Sequence, residues 1–308
     1  MQQNIEDNMQ IWYNGKLGDD DKMQASLASH ALHYGTSAFE GIRFYEGVDG
    51  QSYIFKLQEH LERMEFSIRS LSIEPPYGMD EMKQAIIDTI RAEGHKSGYI
   101  RPFFYAGKSG LGLNPAKSKA QVDASVIVLP WGKYLEDNVI SVKISSIRRI
   151  NPDANDPRAK VGGIYVNSIR ANQEAISAGY NEALLLDSAG NVAEGSGENI
   201  FMVKDGELHT PALGNVLPGI TRATIMQLCA ELGLKVTERA ITPDELKAAD
   251  ELFFTGTAAE VTPIGKLDDV TIGDGGEGPI TAQLAKAYHD VVTGTLDAHK
   301  DWLTPVFE

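Results

Sequence analysis

From residue 10 to residue 296 the chain alternates strand-length apolar runs with helix-length amphipathic ones. That alternation limits the fold to a mixed class of strands and helices, since neither period runs unbroken. The first stretch opens with a strand, Gln10–Tyr13, and the pair Asn14-Gly15, the commonest two-residue hairpin turn. Residues 42–45 and 52–57 flank a Gly-containing turn and read as a second hairpin. Two helices follow. Leu61, Met64, Ile68 and Leu71 share one face of 58–71, and Met82, Ile86, Ile87 and Ile90 share one face of 80–92. Residues 99–106 and 124–129 read as buried strands, closing a small α+β domain over 1–130.

A break rich in Pro, Trp and Gly at 130–137 predicts an interdomain linker, taken as 131–140, and a second breaker-rich loop spans 151–157. Beyond it, strands are expected at 183–187, 199–203, 207–210, 235–240 and 251–255. Helices are expected at 221–232, 243–249 and 280–296. The pattern gives a larger α/β domain over 141–308. A length of 308 residues suits two domains of about 150 residues each.

Charge and cysteine usage narrow the function. A net charge of −15 disfavours nucleic acid and anionic membrane, because either surface demands a surplus of Lys and Arg. No run approaches the ~18 apolar residues of a membrane span. The single cysteine, Cys229, excludes an internal disulfide and reads as a small core residue. The first nine residues are polar and acidic with no apolar stretch, so no secretory signal is expected and the cytoplasm is the predicted location.

Four segments carry candidate chemistry. Lys160 lies in Ala159-Lys160-Val161-Gly162-Gly163, among small and apolar neighbours and two glycines that permit close backbone approach. Desolvation there would lower its pKa toward that of a nucleophilic amine, as attack on an aldehyde requires. Glu194-Gly195-Ser196-Gly197-Glu198-Asn199 is either an acid–base pair or a solvated turn before a strand. Leu217-Pro218-Gly219-Ile220-Thr221-Arg222 feeds a helix N-terminus, which is an anion site or an ordinary cap by Thr221. Thr255-Gly256-Thr257-Ala258-Ala259-Glu260 ends a strand in a tight turn or an anion nest. One ligand meets all four at once: a cofactor with a phosphate, an aldehyde and a ring nitrogen.

The order of residue types from Glu194 through Ser196, Asn199-Ile200-Phe201, Leu208, Thr210, Leu217, Gly219 and Ile220 to Arg222 resembles the class IV aminotransferase pattern. The likeness extends to His30-Ala31-Leu32-His33-Tyr34-Gly35-Thr36, Phe39-Glu40-Gly41-Ile42-Arg43, Tyr99-Ile100-Arg101-Pro102, Pro130-Trp131-Gly132 and Gly256-Thr257-Ala258-Ala259-Glu260. These segments resemble the branched-chain amino-acid aminotransferases over nearly the whole chain. The resemblance implies the D-amino-acid-aminotransferase-like fold (fold type IV), pyridoxal 5′-phosphate as cofactor, and a homodimer or higher homo-oligomer with its sites at the domain and subunit interfaces. Amino acids and 2-oxo acids are the implied small-molecule partners.

By the same resemblance, Lys160 binds the cofactor aldehyde as an imine and moves the substrate proton. Glu194 pairs with the ring nitrogen and Tyr165 with the ring O3′. Arg63, Gly219, Ile220, Thr221 and Thr257 hold the phosphate end, and Leu217 packs on the ring. Thr257, Ala258 and Tyr99 receive the α-carboxylate; Arg101 and Tyr34 of the partner subunit receive the side-chain carboxylate of glutamate. Phe39, Gly41, Arg43, Leu113, Trp131 and Tyr134 complete the substrate site. Leu113 stands where related enzymes often carry a smaller apolar residue, which leaves the order of preference among branched substrates open. No metal is expected: His30 and His33 read as packing at a helix start. Rival readings are a D-amino-acid or (R)-amine aminotransferase, a lyase using the same lysine, and a non-catalytic binder. Tyr99-x-Arg101 with Phe39-Glu40-Gly41-Ile42-Arg43 weighs against the first. Retention of Lys160 together with Glu194 weighs against the last.

Overall fold

In the computed structural model, Asn14 and Gly15 take φ of 47° and 84°. Two left-handed residues match the twist of a tight hairpin, and they join β1 (Gln10–Tyr13) to β2 (Lys16–Asp19) in register Tyr13↔Lys16. The structure describes residues 9–115, 117–131 and 137–307. The chain divides into two compact units. The first takes 1–132, 159–163 and 291–308, and the second takes 133–158 and 164–290. The chain thus returns to the first unit twice, once for the short segment that carries Lys160.

The first unit is built on an antiparallel sheet. Its further strands are β3 (Ser37–Phe39), β4 (Ile42–Glu46), β5 (Ser52–Phe55), β6 (Gly98–Ala106), β7 (Val122–Leu129) and the terminal strand Leu303–Pro305. Among the described residues the order is terminal strand, β5, β4, β6, β7, β1, β2, with β3 also on β6. β3 pairs with Phe103–Tyr105 of β6 and β4 with Gly98–Ile100, so the two short strands follow one another along the same neighbour. On β6, Ile100 and Phe104 are wholly buried, while Tyr99 and Arg101 turn to the opposite face by the two-residue period of a strand.

Helices α1 (His30–Tyr34), α2 (Leu57–Ser70) and α3 (Met79–Glu93) belong to this unit. α2 buries Leu57, Leu61, Met64 and Ile68, a stripe of helical period whose members each stabilise the fold by about 1.5–3 kcal/mol. His60 and Ser67 are buried on the same helix. α3 starts with Glu81 accepting the Gly78 N–H at 2.8 Å and stops at Gly94, where φ is 71°.

The second unit has β8 (Ile140–Ile144), β9 (Glu182–Leu186), β10 (Val192–Gly195), β11 (Asn199–Lys204), β12 (Glu207–Thr210), β13 (Val236–Glu238), β14 (Glu251–Gly256), β15 (Glu260–Leu267) and β16 (Val270–Thr271). Among the described residues these form one mixed sheet ordered β10-β9-β8-β15-β14-β11-β12-β13, with β16 on β15. β8 runs parallel to β9 and β15, and β12 parallel to β13. β9 is buried on both faces. Leu184 and Leu186 join the main core with Ile200, Met202, Phe254 and Ile264, while Ala183 and Leu185 pack on Ala171 and Ala175 of α4 (Tyr165–Ser177). Helices α5 (Ile220–Glu231), α6 (Pro243–Lys247) and α7 (Pro279–Val292) follow.

The sequence reading differs from the structure at several elements. α7 ends at Val292 where a helix to residue 296 was expected, and β13 is shorter than the strand expected at 235–240. α4, β8 and β15 were not anticipated. α4 buries only two alanines and exposes Val166, Ile169 and Ile176, so its large apolar residues mark the wrong face. β15 holds Pro263 and Gly265, which read as breakers; the register with β8 shifts between Ile264 and Lys266, and a Cβ at Gly265 would lie 2.3 Å from the Gly275 carbonyl.

Candidate active site

Lys160 is held in the first unit by both of its main-chain groups. Its N–H donates to Ser67 Oγ at 2.9 Å, and its carbonyl accepts the Phe39 N–H at 3.2 Å. A bridge between Ala38 and Val161 continues this pairing. The chain packs closely beside it: a Cβ at Gly162 would lie 2.2 Å from Ser37 Oγ, and one at Gly35 would lie 2.7 Å from Gly163 Cα. The Lys160 Nζ stands 5.1 Å from the centre of the Phe39 ring.

Arg63 of α2 meets a carboxylate that motif reading left without a role. Its Nε donates to Glu40 Oε1 at 2.7 Å and its Nη2 to Glu40 Oε2 at 2.8 Å. His60 Nδ1 lies 2.8 Å from the same Oε2, so its N–H is on Nδ1 and donates to the carboxylate. Glu40 and His60 are fully buried. Burial alone would raise the Glu40 carboxyl, but the charge and hydrogen bonds of Arg63, with those of His60, hold it well below the usual carboxylate range. Burial pushes His60 down, against the pull of Glu40, and the charges of Arg63 and Lys160 push the same way.

A second group in this unit surrounds Arg101. Its Nη2 donates to the Tyr99 hydroxyl at 2.7 Å, and its guanidinium carbon lies 4.7 Å from the Phe39 ring centre and 5.2 Å from that of Tyr99. Tyr99 stacks on Trp131 at 4.8 Å. A Cβ at Gly41 would fall 2.1 Å from the Tyr99 hydroxyl, so only glycine fits there. Arg43 stands directly opposite Tyr99 in the β4–β6 register, with its guanidinium 5.1 Å from the Tyr45 ring. The buried Nε of Arg101 has no hydrogen-bond partner among the described residues, which leaves a donor that an acceptor could fill. Tyr34 and Leu113 lie in an exposed group of their own, where the Tyr34 hydroxyl donates to the Leu111 carbonyl at 2.9 Å. Tyr134 falls outside the described residues.

In the second unit, Glu194 is buried among fixed donors. Arg149 Nε donates to its Oε1 at 2.5 Å; the Leu217 N–H and Asn199 Nδ2 donate to its Oε2 at 3.0 and 3.3 Å. Asn199 also donates to the Leu217 carbonyl at 3.0 Å, which fixes the approach to α5. Gly219 is the N-cap of α5 and has no side chain with which to cap it, and a Cβ there would lie 2.0 Å from Asn199 Oδ1. The helix therefore starts with the Ile220 and Thr221 amides at its positive end, an arrangement suited to a phosphate. Thr257 and Ala258 lie in the three-residue turn between β14 and β15, closed by the Gly256↔Glu260 pair. Thr255 Oγ1 beside it is buried with no partner among the described residues. Tyr165 is the first residue of α4. Glu198, the second carboxylate of its motif, accepts the Gly197 N–H at 3.1 Å.

Sequence reasoning missed Glu40, His60, Ser67 and Arg149. The spacing of His60, Arg63 and Ser67 puts them on one side of α2, a polar stripe beside an apolar one, and that was a usable signal. Arg149 offered none. Among the described residues, no group of three or more His, Cys, Asp or Glu side chains could hold a metal ion.

Comparisons with known proteins add to this geometry. The family model described as "Amino-transferase class IV" matches residues 37–267. The chain is 44% identical over 300 residues to the branched-chain-amino-acid aminotransferase of Pseudomonas aeruginosa, covering 96% of this chain and 97% of that one. Among solved structures, the branched-chain aminotransferase from Thermoproteus uzoniensis with norvaline superposes with a TM-score of 0.93 at 40% identity, over 97% of this chain and 100% of that one. The Thermobaculum terrenum branched-chain amino acid aminotransferase in its PLP form gives a TM-score of 0.92 at 35% identity, over 98% and 100%.

Proposed function

This chain belongs to the class IV aminotransferases, and from that premise we propose that it is a branched-chain amino-acid aminotransferase using pyridoxal 5′-phosphate. It moves the amino group of L-leucine, L-isoleucine or L-valine reversibly to 2-oxoglutarate, giving the branched 2-oxo acid and L-glutamate. The observation that carries the reading is near-full-length similarity to relatives bearing that name. Bound, the cofactor supplies an aldehyde that captures the amino group and a ring that takes up the electron pair left at the substrate Cα.

The residues divide the remaining work. Lys160 would hold the cofactor through its Nζ and, when free, would serve as the base that moves the proton at the substrate Cα. Glu194, oriented by Arg149 and the Leu217 amide, would hold a proton at the ring nitrogen of the bound cofactor and so favour its uptake of electrons. Tyr165 would donate to the cofactor's phenolic oxygen, and Leu217 would give its ring an apolar contact. Arg63, the amides of Ile220 and Thr221 after Gly219, and the Thr257 hydroxyl hold the phosphate.

The amides of Thr257 and Ala258, with Tyr99, receive the α-carboxylate. Phe39, Gly41, Arg43, Leu113, Trp131 and Tyr134 shape the side-chain pocket. That pocket must accept both an isobutyl group and a carboxylate. Arg101 answers this need: with leucine bound, its charge rests against the Phe39 and Tyr99 rings and the Tyr99 hydroxyl, and with glutamate bound its Nε finds an acceptor. The enzyme is a cytoplasmic homodimer in this reading, with Tyr34 of the partner subunit at each site.

A substrate panel tests the reading. L-leucine, L-isoleucine and L-valine with 2-oxoglutarate are expected to yield L-glutamate, whereas D-amino acids and (R)-phenylethylamine are not. The Lys160→Ala variant is expected to lose turnover while remaining folded. Glutamate formation only from D-amino acids or amines, or full activity of Lys160→Ala, would refute the assignment.

A further inference from the structure

We infer that Glu40 is a positioning residue for cofactor binding: its carboxylate fixes the Arg63 guanidinium in the orientation that meets the phosphate. The inference rests on the function proposed above and adds to it a residue that touches neither cofactor nor substrate. Glu40 follows Phe39 at the gap between β3 and β4, where its own N–H is tied to the Pro102 carbonyl at 2.9 Å. Its carboxylate grips the Nε–Nη2 edge of Arg63 through two bonds of 2.7 and 2.8 Å. A planar guanidinium held along one edge can present its Nη1 edge in a single direction. A lysine or an unclamped arginine would sweep a cone of positions.

The grip is part of a closed ring of hydrogen bonds. The Phe39 N–H bonds the Lys160 carbonyl; the Lys160 N–H bonds Ser67 Oγ; the Ser67 hydroxyl bonds the Arg63 carbonyl at 2.7 Å; and the Arg63 side chain returns to Glu40. Every link joins residues of the first unit, so the backbone that carries the Lys160 amine and the guanidinium that would take the phosphate are tied to one frame. His60 completes the arrangement by donating Nδ1–H to Glu40 Oε2, which stops the carboxylate from rotating away. A purely structural ion pair has no need of this ring, which spans β3, α2 and the Lys160 segment.

The test compares two probes that differ only in the phosphate. Equilibrium binding of pyridoxal 5′-phosphate and of pyridoxal to the cofactor-stripped full chain is followed by absorbance, for wild type and Glu40→Gln. Glu40→Gln removes the charge at constant shape. It is expected to weaken pyridoxal 5′-phosphate binding by about tenfold or more while pyridoxal binding changes by less than about twofold. Equal weakening of both probes, or of neither, would overturn the positioning role and leave the cofactor assignment standing. Wild type that bound neither probe would instead remove the cofactor assignment. If Glu40→Gln does not accumulate as folded protein, Glu40→Asp, which keeps the charge and shortens the reach, is judged by the same ratio.

Discussion

Glu182 shows how a single buried group contributes to the pH response of the second unit. It lies at the start of β9, 1% exposed, and its oxygens take Asn172 Nδ2 at 3.0 and 3.1 Å and the Ala183 N–H at 2.5 Å. Burial pushes its carboxyl up, and the bonds from Ala183, Asn172 and Ser196 recover only part of that. For an acid whose folded pKa is raised, nothing is lost below the unfolded value of about 4.3. As pH climbs from there to the folded value, the unfolded chain ionises while the folded one does not, so stability falls; above it the full penalty persists. Glu182→Gln is therefore expected to raise the melting temperature at pH 8 by about 2–4 °C and to leave it unchanged at pH 4. An equal gain at both pH values would mean that shape, not charge, governs the site. The ion pair Arg63–Glu40 has the opposite sign: its stabilisation is present at neutral pH and is lost only on acidification through the lowered Glu40 value.

At the scale of elements, what the sequence revealed depended on whether the informative residues were neighbours. β1, the first hairpin, α2, α3, β6, β11, β12, β14 and α5 were legible because period and turn chemistry are local. α4 was not, because its large apolar residues face outward; β15 was not, because Pro263 and a bulge at Gly265 look like a loop when the pairing strands are unseen. The site shows the same division. Lys160, Glu194 and the Gly219 turn stand in local motifs, whereas Arg149 meets Glu194 across 45 positions of chain and Glu40 meets Arg63 across 23. The entry to α5 tests how tightly such a motif is built. Gly219 has an ordinary φ of −66°, so alanine is opposed by contact, chiefly the 2.0 Å approach of its Cβ to Asn199 Oδ1, with Arg222 Cβ at 3.3 Å. Gly219→Ala is expected to destabilise the protein by about 1–3 kcal/mol in urea unfolding, because Asn199 must release Glu194 or Leu217. Gly197→Ala, whose Cβ would meet nothing within 4 Å, is the control and should stay within about 0.5 kcal/mol of wild type. Equal effects from the two would show that the contact at Gly219 carries no constraint.

At the scale of the whole molecule, two forces act on association and they oppose one another. A net charge of −15 makes copies repel. Against it, the first unit presents Leu27, Leu32, Leu111 and Leu113 with 87%, 64%, 54% and 78% of their surface exposed. They form one structured patch: His33 Nε2 bonds the Leu27 carbonyl, the Tyr34 hydroxyl bonds the Leu111 carbonyl, and His30 Nε2 bonds the Gly112 carbonyl. Apolar side chains displayed on hydrogen-bonded backbone favour burial against another surface, as the proposed homodimer supplies. Because hydrophobic contact drives association and like charge resists it, salt should strengthen the dimer as the screening length shrinks. Sedimentation velocity at about 20 and about 200 mM NaCl, which spans most of that change in screening, is expected to show the monomer fraction falling as salt rises. Leu32→Glu, which adds a charge to the patch, should raise the monomer fraction at both concentrations. A dimer that weakened with salt would point instead to an interface held by charge pairs, and one indifferent to Leu32→Glu would place the contact elsewhere on the chain.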